Sequence, residues 1–260
     1  MSKPVFFADL DDTLFQTRRK MQDELGETPF RCAALDRSLA PRSFMTQEQA
    51  MMVDWLLEHA ELIPVTARGT EETARVQIPF HSWRVMTHGA VILTPQGEAD
   101  AAWQAHMLAG LAPYRERLLS MESGINALMA QRGINAWARL NYEYDGTPVY
   151  MVMKHRDSTQ TAELYALADE LKAQFPTEGF YFHRNGNNVA WLPDCVEKGQ
   201  AVIWLLEKLR AQRGVFPVMG LGDSLSDYRF MRHCTWFGIP RRSQFSHFIT
   251  EHLYGKESDD

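Results

Sequence analysis

Four short apolar runs, spaced along the chain, mark the strands of a buried sheet. Each run lies close to turn or polar residues, and together they cover residues 5–10, 62–65, 85–93 and 218–221. Helical patterns cover residues 46–60, which start with the capping pair Thr46 and Gln49, and residues 199–209. Because strand is followed by helix, the pattern predicts a doubly wound, mostly parallel α/β sheet of the Rossmann-like kind.

The middle of the chain has a different pattern. Two helix-like segments, residues 103–130 and 158–175, are each followed by a pair of alternating segments around a turn that contains glycine. The paired segments are residues 136–144 with 149–155 around Asp145-Gly146, and residues 180–183 with 188–192 around Asn185-Gly186. This helix-hairpin-helix-hairpin order predicts a four-stranded antiparallel sheet with both helices on one face.

The two patterns together predict the domain organisation. We expect a core domain formed by residues 1–95 and 191–260, and an α+β domain inserted in it over residues 96–190. The chain of 260 residues has 45% apolar and 23% charged residues, which is enough to bury a core in each part.

Charge and cysteine content narrow the classes of partner and compartment. The 27 basic and 33 acidic residues give a net charge of −6, which disfavours a nucleic-acid partner held by bulk electrostatics. The sequence has no apolar stretch of about 18 residues, so a membrane partner is not predicted. The short N-terminal apolar run is soon interrupted by aspartates, which is not typical of a signal peptide. Three cysteines without metal-ligand spacing indicate a reducing compartment, so we predict a cytoplasmic protein.

Carboxylates follow the first and the last of the apolar runs. Asp9 and Asp11 come directly after the run at residues 5–8, and Asp223 and Asp227 follow the run at residues 218–221. In open α/β sheets the ligand crevice lies at the carboxyl ends of the strands, which is where these side chains are expected. Each motif alone also fits a turn or a helix cap with an acidic first turn.

Two further polar residues stand at ends of predicted elements. Thr66 follows the second apolar run, where its hydroxyl and the next backbone N–H groups can hold a phosphate. Lys198 stands at the start of the helix over residues 199–209, a position that the helix dipole disfavours for a cation. A helix cap and a surface lysine are the ordinary alternatives. Within the third run, Gly89 permits a tight strand-end turn, and His88 beside it fits a packed or exposed histidine as well as a substrate contact.

The combination of these motifs is more specific than any one of them. Four carboxylates, Asp9, Asp11, Asp223 and Asp227, converging on one crevice would repel one another unless a cation and hydrogen bonds compensate. Oxygen-only ligands without His or Cys indicate Mg²⁺ rather than Zn²⁺. Mg²⁺ beside a hydroxyl and a lysine suits phosphoryl transfer, in which charge on the phosphoryl oxygens must be neutralised.

The chain resembles the haloacid dehalogenase superfamily of phosphotransferases in all four of that family's motifs. These are the DxDxT of residues 9–13, the strand end at Thr66, the helix start at Lys198 and the GDxxxD of residues 222–227. The resemblance spans nearly the whole chain, and the inserted helix-hairpin-helix-hairpin unit resembles the family's large α/β cap. Two departures are the long segment at residues 15–44 and Ser226, which stands where many relatives have Asn.

The resemblance implies a role for each motif residue. Asp9 would be the nucleophile that forms an aspartyl-phosphate, and Asp11 would be the general acid and then the general base. The metal would be held by Asp9, the backbone carbonyl of Asp11 and Asp223, with Asp227 close by. The phosphate-binding residues would be Thr66 and Lys198. A carboxylate nucleophile of this kind divides one difficult step into two easier ones.

The predicted cap sheet has one face that is more polar than the other. In residues 136–144, alternation places Trp137, Arg139, Asn141 and Glu143 on one face, and Ala138, Leu140 and Tyr142 on the opposite face. Because the two helices need the apolar face, the polar face is expected to look at the crevice, where Arg139, Asn141 and Lys154 would contact the substrate. A solvated sheet face is the alternative.

These observations predict a Mg²⁺-dependent phosphatase for a small phosphorylated metabolite, a sugar phosphate in particular. The nearest alternative is a phosphosugar mutase, which shares the aspartyl-phosphate. A regulatory or binding module that keeps the fold without catalysis is an alternative of another class, although the intact acidic motifs argue against it. The absence of membrane-length apolar stretches excludes an aspartyl-phosphate ion pump.

Overall fold

A computed structural model of the protein describes residues 3–175, 177–184 and 186–254, which form two compact units. The first unit lies within Met1–Asp100 and Glu197–Asp260, and the second is Ala101–Val196. The boundary predicted at residue 190 falls inside a strand, Val189–Pro193, that pairs with two strands of the second unit, so that unit extends further. The N–H of Asp100 donates to the carbonyl of Ile92, which keeps the preceding turn with the first unit.

The secondary structure follows the predicted alternation in outline. The strands are β1 (Val5–Ala8), β2 (Gln16–Thr17), β3 (Arg31–Leu35), β4 (Pro41–Met45), β5 (Glu61–Pro64), β6 (Arg84–Met86), β7 (Val91–Leu93), β8 (Ala136–Glu143), β9 (Thr147–His155), β10 (Phe180–Arg184), β11 (Val189–Pro193), β12 (Val218–Leu221) and β13 (Trp236–Gly238). The α-helices are α1 (Gln47–His59), α2 (Thr70–Thr73), α3 (Ala101–Leu111), α4 (Arg115–Arg132), α5 (Thr161–Gln174), α6 (Lys198–Arg213), α7 (Tyr228–Met231) and α8 (Gln244–Tyr254).

The first unit is built on a parallel sheet with the strand order β13-β12-β1-β5. The central strand β1 is buried along its whole length, as expected for a continuous apolar run with neighbours on both sides. Its last residue, Ala8, is level with Leu221 of β12 and Pro64 of β5, so three strands end together. The predicted mostly parallel α/β fold is confirmed, and α1 begins with the predicted Thr46–Gln49 capping box.

The sequence predicted one strand over residues 85–93, and this prediction is wrong. The run forms the antiparallel pair β6 and β7, joined by a 3₁₀ turn over Thr87–Gly89. Thr87, His88 and Gly89 all have positive φ angles, of 53°, 55° and 96°, which no continuous strand can contain. A Cβ on Gly89 would lie 2.6 Å from the carbonyl oxygen of Glu197, so close packing against the start of α6 requires glycine there.

The long segment between the first motif and α1 forms a small sheet that the sequence analysis did not predict. It has the strand order β2-β4-β3 and contains a π-helical turn at Lys20–Glu24. Phe15, Phe44 and Met45 from this segment and its flanks are buried in the first unit. The segment is therefore part of the folded core unit rather than a linker.

The second unit contains the predicted four-stranded antiparallel sheet, in the order β10-β11-β9-β8. Both α4 and α5 pack on one face of it, through an apolar cluster that includes Leu118, Leu164, Leu140 and Met151. The helix predicted over residues 103–130 is two helices, because a 3₁₀ turn containing Pro113 separates α3 from α4. Asn185 of the second predicted turn lies outside the described residues.

A bulge in β8 corrects one detail of the predicted alternation. The register between β8 and β9 shifts between Asn141 and Tyr142, and the Tyr142 side chain is 49% exposed instead of packing with Ala138 and Leu140. The rest of the strand follows the expected alternation, since Ala138 and Leu140 both belong to the apolar cluster. Arg139 and Asn141 therefore point to the other face of this sheet.

Among the described residues, no helix is both long enough and apolar enough to cross a membrane. The three cysteines are free thiols and half-buried. The cytoplasmic location stays a prediction.

Candidate active site

Three aspartates from two sequence motifs converge where β1 and β12 end. Asp9 follows β1, while Asp223 and Asp227 belong to the loop between β12 and α7. All three are buried, and each offers a carboxylate oxygen within 4.8 Å of the others. The sequence prediction that these residues lie together follows from parallel strands whose carboxyl ends meet at one sheet edge.

Lys198 is buried and connects two of these carboxylates. Its Nζ lies 2.7 Å from Oδ1 of Asp9 and 2.7 Å from Oδ1 of Asp227. Glu197 caps α6 by accepting hydrogen bonds from the N–H groups of Gly199 and Gln200, which offsets the cation at the helix start. The unfavourable position of Lys198 in its helix is therefore compensated by two carboxylates and a cap.

Asp227 is held rigidly by its own loop. One of its carboxylate oxygens accepts hydrogen bonds from the backbone N–H and the hydroxyl of Ser224, at 3.1 and 2.6 Å. A Cβ on Gly222 would lie 2.5 Å from the Asp227 side chain, so the loop closes only with glycine at that position. Ser226, the departure from the family pattern, contacts the Ser224 hydroxyl.

The burial of these charges shifts their protonation in opposite directions. Burial raises the pKa of Asp9 well above its usual range, and the charges of Asp227 and Asp223 add to this against the opposing effect of Lys198. Burial and the Asp227 charge raise the pKa of Asp223 to about 7. For Asp227, burial is outweighed by the charge and hydrogen bond of Lys198, which lower the pKa.

The donor set fits a hard divalent cation. One ammonium group faces three buried carboxylates, and the repulsion between these carboxylates adds to burial in raising the pKa of Asp9 and of Asp223. Carboxylate oxygens without imidazole or thiolate are the ligands that Mg²⁺ prefers. Asp9 and Asp223, each buried, are the side chains best placed to hold it, with Asp227 shared with Lys198.

We expect the stability of the metal-free protein to fall as pH rises from about 4 to about 7. Asp9 and Asp223 hold their protons more tightly in the folded than in the unfolded state, so their contribution to folding is full only at low pH; for Asp223 it is lost as pH rises from its unfolded pKa to the folded value of about 7. Asp223→Asn should raise the melting temperature at pH 8 without metal by roughly 5 °C. Calorimetry with and without Mg²⁺ measures both effects.

Saturating Mg²⁺ should raise the melting temperature of the unchanged protein, because the ion binds the folded state alone. The increase should be much smaller in Asp223→Asn. Asp145→Asn is the matched control, since it removes an exposed carboxylate from the hairpin turn of the second unit. A stabilisation by Mg²⁺ that is unchanged in Asp223→Asn would remove Asp223 from the metal site.

Thr66 lies at the same sheet edge as Asp9. The N–H of Val65 donates to the carbonyl of Ala8, and Thr66 is 1% exposed. Its hydroxyl oxygen accepts a hydrogen bond from the N–H of Arg68 at 3.1 Å, which leaves the hydroxyl proton available to donate. The phosphate-binding role of Thr66 stays a prediction that this placement fits.

Asp11 does not join the buried cluster, and its side chain is 46% exposed. Its two oxygens accept hydrogen bonds from Nε and Nη2 of Arg68, at 2.6 and 2.8 Å. The sequence analysis missed Arg68, although it stands two residues after Thr66 at the same strand end. Bidentate pairing of this kind is the strongest carboxylate contact that a side chain can make.

A second basic residue near this edge was also missed. Lys20, the first residue of the π-helical turn, lies 2.8 Å from Asp12, whose φ is 64°. The charges of Lys20 and Lys198 oppose the raised pKa of Asp223, so Lys20 is within electrostatic range of the acidic cluster. The loop after β1 is thus flanked by two basic residues, Arg68 and Lys20, besides the buried Lys198.

The predicted cap residues share one face of the sheet in the second unit. Arg139 and Asn141 lie on β8, and Lys154, on β9, is directly opposite Trp137. The guanidinium of Arg139 lies 5.4 Å from the Trp137 ring on that face. Within the described chain, neither Nε of Arg139 nor Nδ2 of Asn141 has a hydrogen-bond partner.

Comparison by sequence and by structure gives different results. No protein-family model matches the chain, and no curated protein matches it at a significant level. Solved structures match it in fold. The sucrose-phosphatase from Synechocystis sp. PCC6803, solved in complex with sucrose and phosphate, has a TM-score of 0.57 at 16% identity, over 99% of this chain and 90% of that one.

Two other solved structures agree with this match. The C-terminal domain of trehalose-6-phosphate phosphatase from C. albicans has a TM-score of 0.52 at 14% identity, over 89% of this chain and 73% of that one. The IMP-nucleotidase from Plasmodium falciparum, solved with IMP bound, has a TM-score of 0.52 at 9% identity, over 95% of this chain and 66% of that one. The neighbours are phosphatases of the haloacid dehalogenase superfamily, and this chain has their fold.

Proposed function

We propose that the chain is a Mg²⁺-dependent phosphatase that hydrolyses a small phosphorylated metabolite through an aspartyl-phosphate on Asp9. The observation that carries this proposal is the buried group of Asp9, Asp223 and Asp227 with Lys198 between two of them, at the carboxyl edge of the core sheet. The phosphatase fold of the neighbours supports it independently.

In the first half-reaction, a carboxylate oxygen of Asp9 attacks phosphorus. The new bond joins that oxygen to phosphorus, and the bond from phosphorus to the leaving-group oxygen breaks. Lys198 holds the attacking side chain in place and offers positive charge beside the phosphoryl oxygens. Thr66 would add a hydroxyl donor to the same oxygens. Mg²⁺, when bound, would neutralise the charge that develops on the phosphoryl group.

Asp11 gives one proton in the first half-reaction and takes one back in the second. As a carboxylic acid it gives its proton to the leaving alkoxide, which departs as an alcohol. As a carboxylate it then takes a proton from water, whose oxygen attacks phosphorus while the bond to Asp9 breaks. Inorganic phosphate leaves, and both aspartates return to their starting forms.

The substrate class is proposed from the second unit. Two hydrogen-bond donors without a protein partner, on Arg139 and Asn141, share a sheet face with Lys154 and the Trp137 ring. Donors beside an aromatic ring suit a sugar, whose hydroxyls accept hydrogen bonds and whose ring carbons pack on aromatic faces. The neighbours that act on sucrose phosphate and trehalose phosphate point to the same class.

A phosphosugar mutase remains the alternative with the same core chemistry. It would need several cations to grip a second phosphate on the sugar while the core acts on the first. On the polar face of the cap sheet we identify Arg139 and Lys154, whereas Arg184 pairs with Asp169 of α5 on the helical side. Hydrolysis is therefore the better supported outcome.

The proposed location of the protein is the cytoplasm, because its three cysteines are free thiols.

We expect a hexose monophosphate or a phosphorylated disaccharide to release inorganic phosphate steadily, without a bisphosphate activator. A panel of phosphorylated metabolites, assayed with and without Mg²⁺, tests the activity. Free phosphate and isomerised sugar phosphate are followed in the same reaction. Isomer formed in large excess over phosphate would establish the mutase, and no turnover of any compound would favour the catalytically silent module.

We expect Arg139→Ala to raise KM for the sugar phosphate about tenfold, because the lost donor served the leaving group rather than the phosphoryl group. The kcat/KM for 4-nitrophenyl phosphate, which has no sugar, should change less than about threefold. Arg132→Ala is the matched control, since Arg132 pairs with Glu170 on the helical side of the same unit. An equal loss for both substrates would contradict the role of Arg139 in sugar binding.

A further inference from the structure

The guanidinium of Arg68 binds Asp11, the residue on which the proposed proton transfer depends. Both oxygens of the Asp11 carboxylate are bound by one guanidinium, at 2.6 and 2.8 Å. A carboxyl group whose oxygens both face a guanidinium is not free to approach a leaving group. The structure therefore presents Asp11 in a position that must change before it can act.

The main chain of Arg68 is held in place at the carboxyl edge of the core sheet. Its N–H donates to the Thr66 hydroxyl, and its carbonyl accepts from the N–H of Thr87, at 3.1 and 2.8 Å. With the backbone anchored on both sides, only the side chain can change partners. The Phe15 ring lies 5.1 Å from the guanidinium and provides a flat surface for it to move across.

The guanidinium is also within electrostatic range of the proposed nucleophile. Burial opposes the charged form, but the hydrogen bonds and charge of Asp11 raise the pKa of Arg68, and Asp9 contributes to the same increase. A phosphoryl group that docks on Asp9 carries two negative charges and several acceptor oxygens. It would compete with the single charge of Asp11 for the same planar set of donors.

We propose that Arg68 exchanges partners, binding Asp11 when the site holds no substrate and the phosphoryl oxygens when substrate docks. The inference rests on the proposed function. Two hydrogen bonds to Asp11 break and two to phosphoryl oxygens form. The released Asp11 carboxylate then takes one proton from solvent, which makes it the carboxylic acid that gives its proton to the leaving group. Arg68 is thus a phosphoryl-binding residue whose move releases Asp11 toward the leaving group once substrate has arrived.

A double-mutant cycle on phosphate binding tests the exchange without relying on turnover. Calorimetry with saturating Mg²⁺ measures the affinity for inorganic phosphate in the unchanged protein, Asp11→Asn, Arg68→Lys and the double variant. Asparagine cannot retain the guanidinium as a carboxylate does, so Asp11→Asn frees Arg68 and should tighten phosphate binding about tenfold. In the Arg68→Lys background, which keeps the charge and loses the paired donors, the gain should be under about threefold.

The control is a second bidentate arginine–aspartate pair, in which the donors are Nη1 and Nη2 rather than Nε and Nη2. Arg31 and Asp54 are joined by hydrogen bonds of 2.6 and 2.8 Å on the exposed surface of the first unit. A cycle of Asp54→Asn and Arg31→Lys should leave phosphate affinity unchanged. If a variant at Arg68 fails to fold, the Nε–H signal of Arg68 in the NMR spectrum of the unchanged protein gives the answer, since phosphate should shift it.

The outcomes separate this inference from the proposed function. Equal gains from Asp11→Asn in both backgrounds, or an Arg68 signal that phosphate does not move, would overturn the exchange alone. Absence of phosphate binding by the unchanged protein would overturn the proposed function and the exchange together.

Discussion

Asp9→Asn is expected to lower turnover by at least about 10³-fold while the protein stays folded. An amide of nearly the same size keeps an oxygen that can accept the hydrogen bond from Lys198, but it lacks the anionic nucleophile that attacks phosphorus. Because one buried negative charge is removed from a crowded group, stability without metal should not fall. Steady-state phosphate release measures the first effect, and calorimetry the second.

A direct measurement of the intermediate strengthens this test. Acid quenching during turnover of a ³²P-labelled substrate should trap label on the unchanged protein and none on Asp9→Asn. Asp54→Asn, an exposed aspartate that pairs with Arg31, is the control and should label normally. Turnover near the original rate in Asp9→Asn, or labelling of that variant, would remove Asp9 from the nucleophile's role.

The residues of the acidic cluster were predictable because short apolar runs fix where strands end. Asp9 and Asp223 stand directly beyond such runs, and parallel pairing brings those ends to one edge. Lys198 was detectable as a cation at a helix start, a position that physical chemistry disfavours. The helix-hairpin order of the second unit was equally readable, since both hairpins carry alternation and turn residues.

Arg68 could not be assigned from the sequence for the opposite reason. An arginine in a polar loop has no periodicity, and only the folded loop brings its guanidinium to Asp11, 57 residues away in the chain. The turn at Thr87–Gly89 was hidden because apolar residues continue on both sides of it, and only the glycine indicated a break. In the sheet formed by β2, β3 and β4, β2 has only two residues, and the buried positions of β3 and β4 are consecutive rather than alternating, so period-two alternation does not reveal these strands.

Lys198→Met is expected to lower both activity and stability. Methionine keeps the length of the side chain but leaves Asp9 and Asp227, which Lys198 bridges at 2.7 Å, without their common cation. Removing one partner of a buried ion pair costs about 3–5 kcal/mol, and protonation of Asp9 will relieve part of this. We expect a melting temperature about 10 °C lower without metal, and a loss in kcat of about 10³-fold.

The double variant Lys198→Met with Asp227→Asn separates these two effects. Removing the Asp227 charge as well leaves Asp9 with one fewer carboxylate to repel it, so most of the lost stability should return. Activity should not return, since the cation beside the phosphoryl group is still missing. The melting temperature and the rate of phosphate release are measured on the same preparations. Recovery of activity together with stability would mean that Lys198 only holds the fold. A stability loss that persists in the double variant would mean that the lysine's packing, rather than its pairing with Asp9 and Asp227, supports the site.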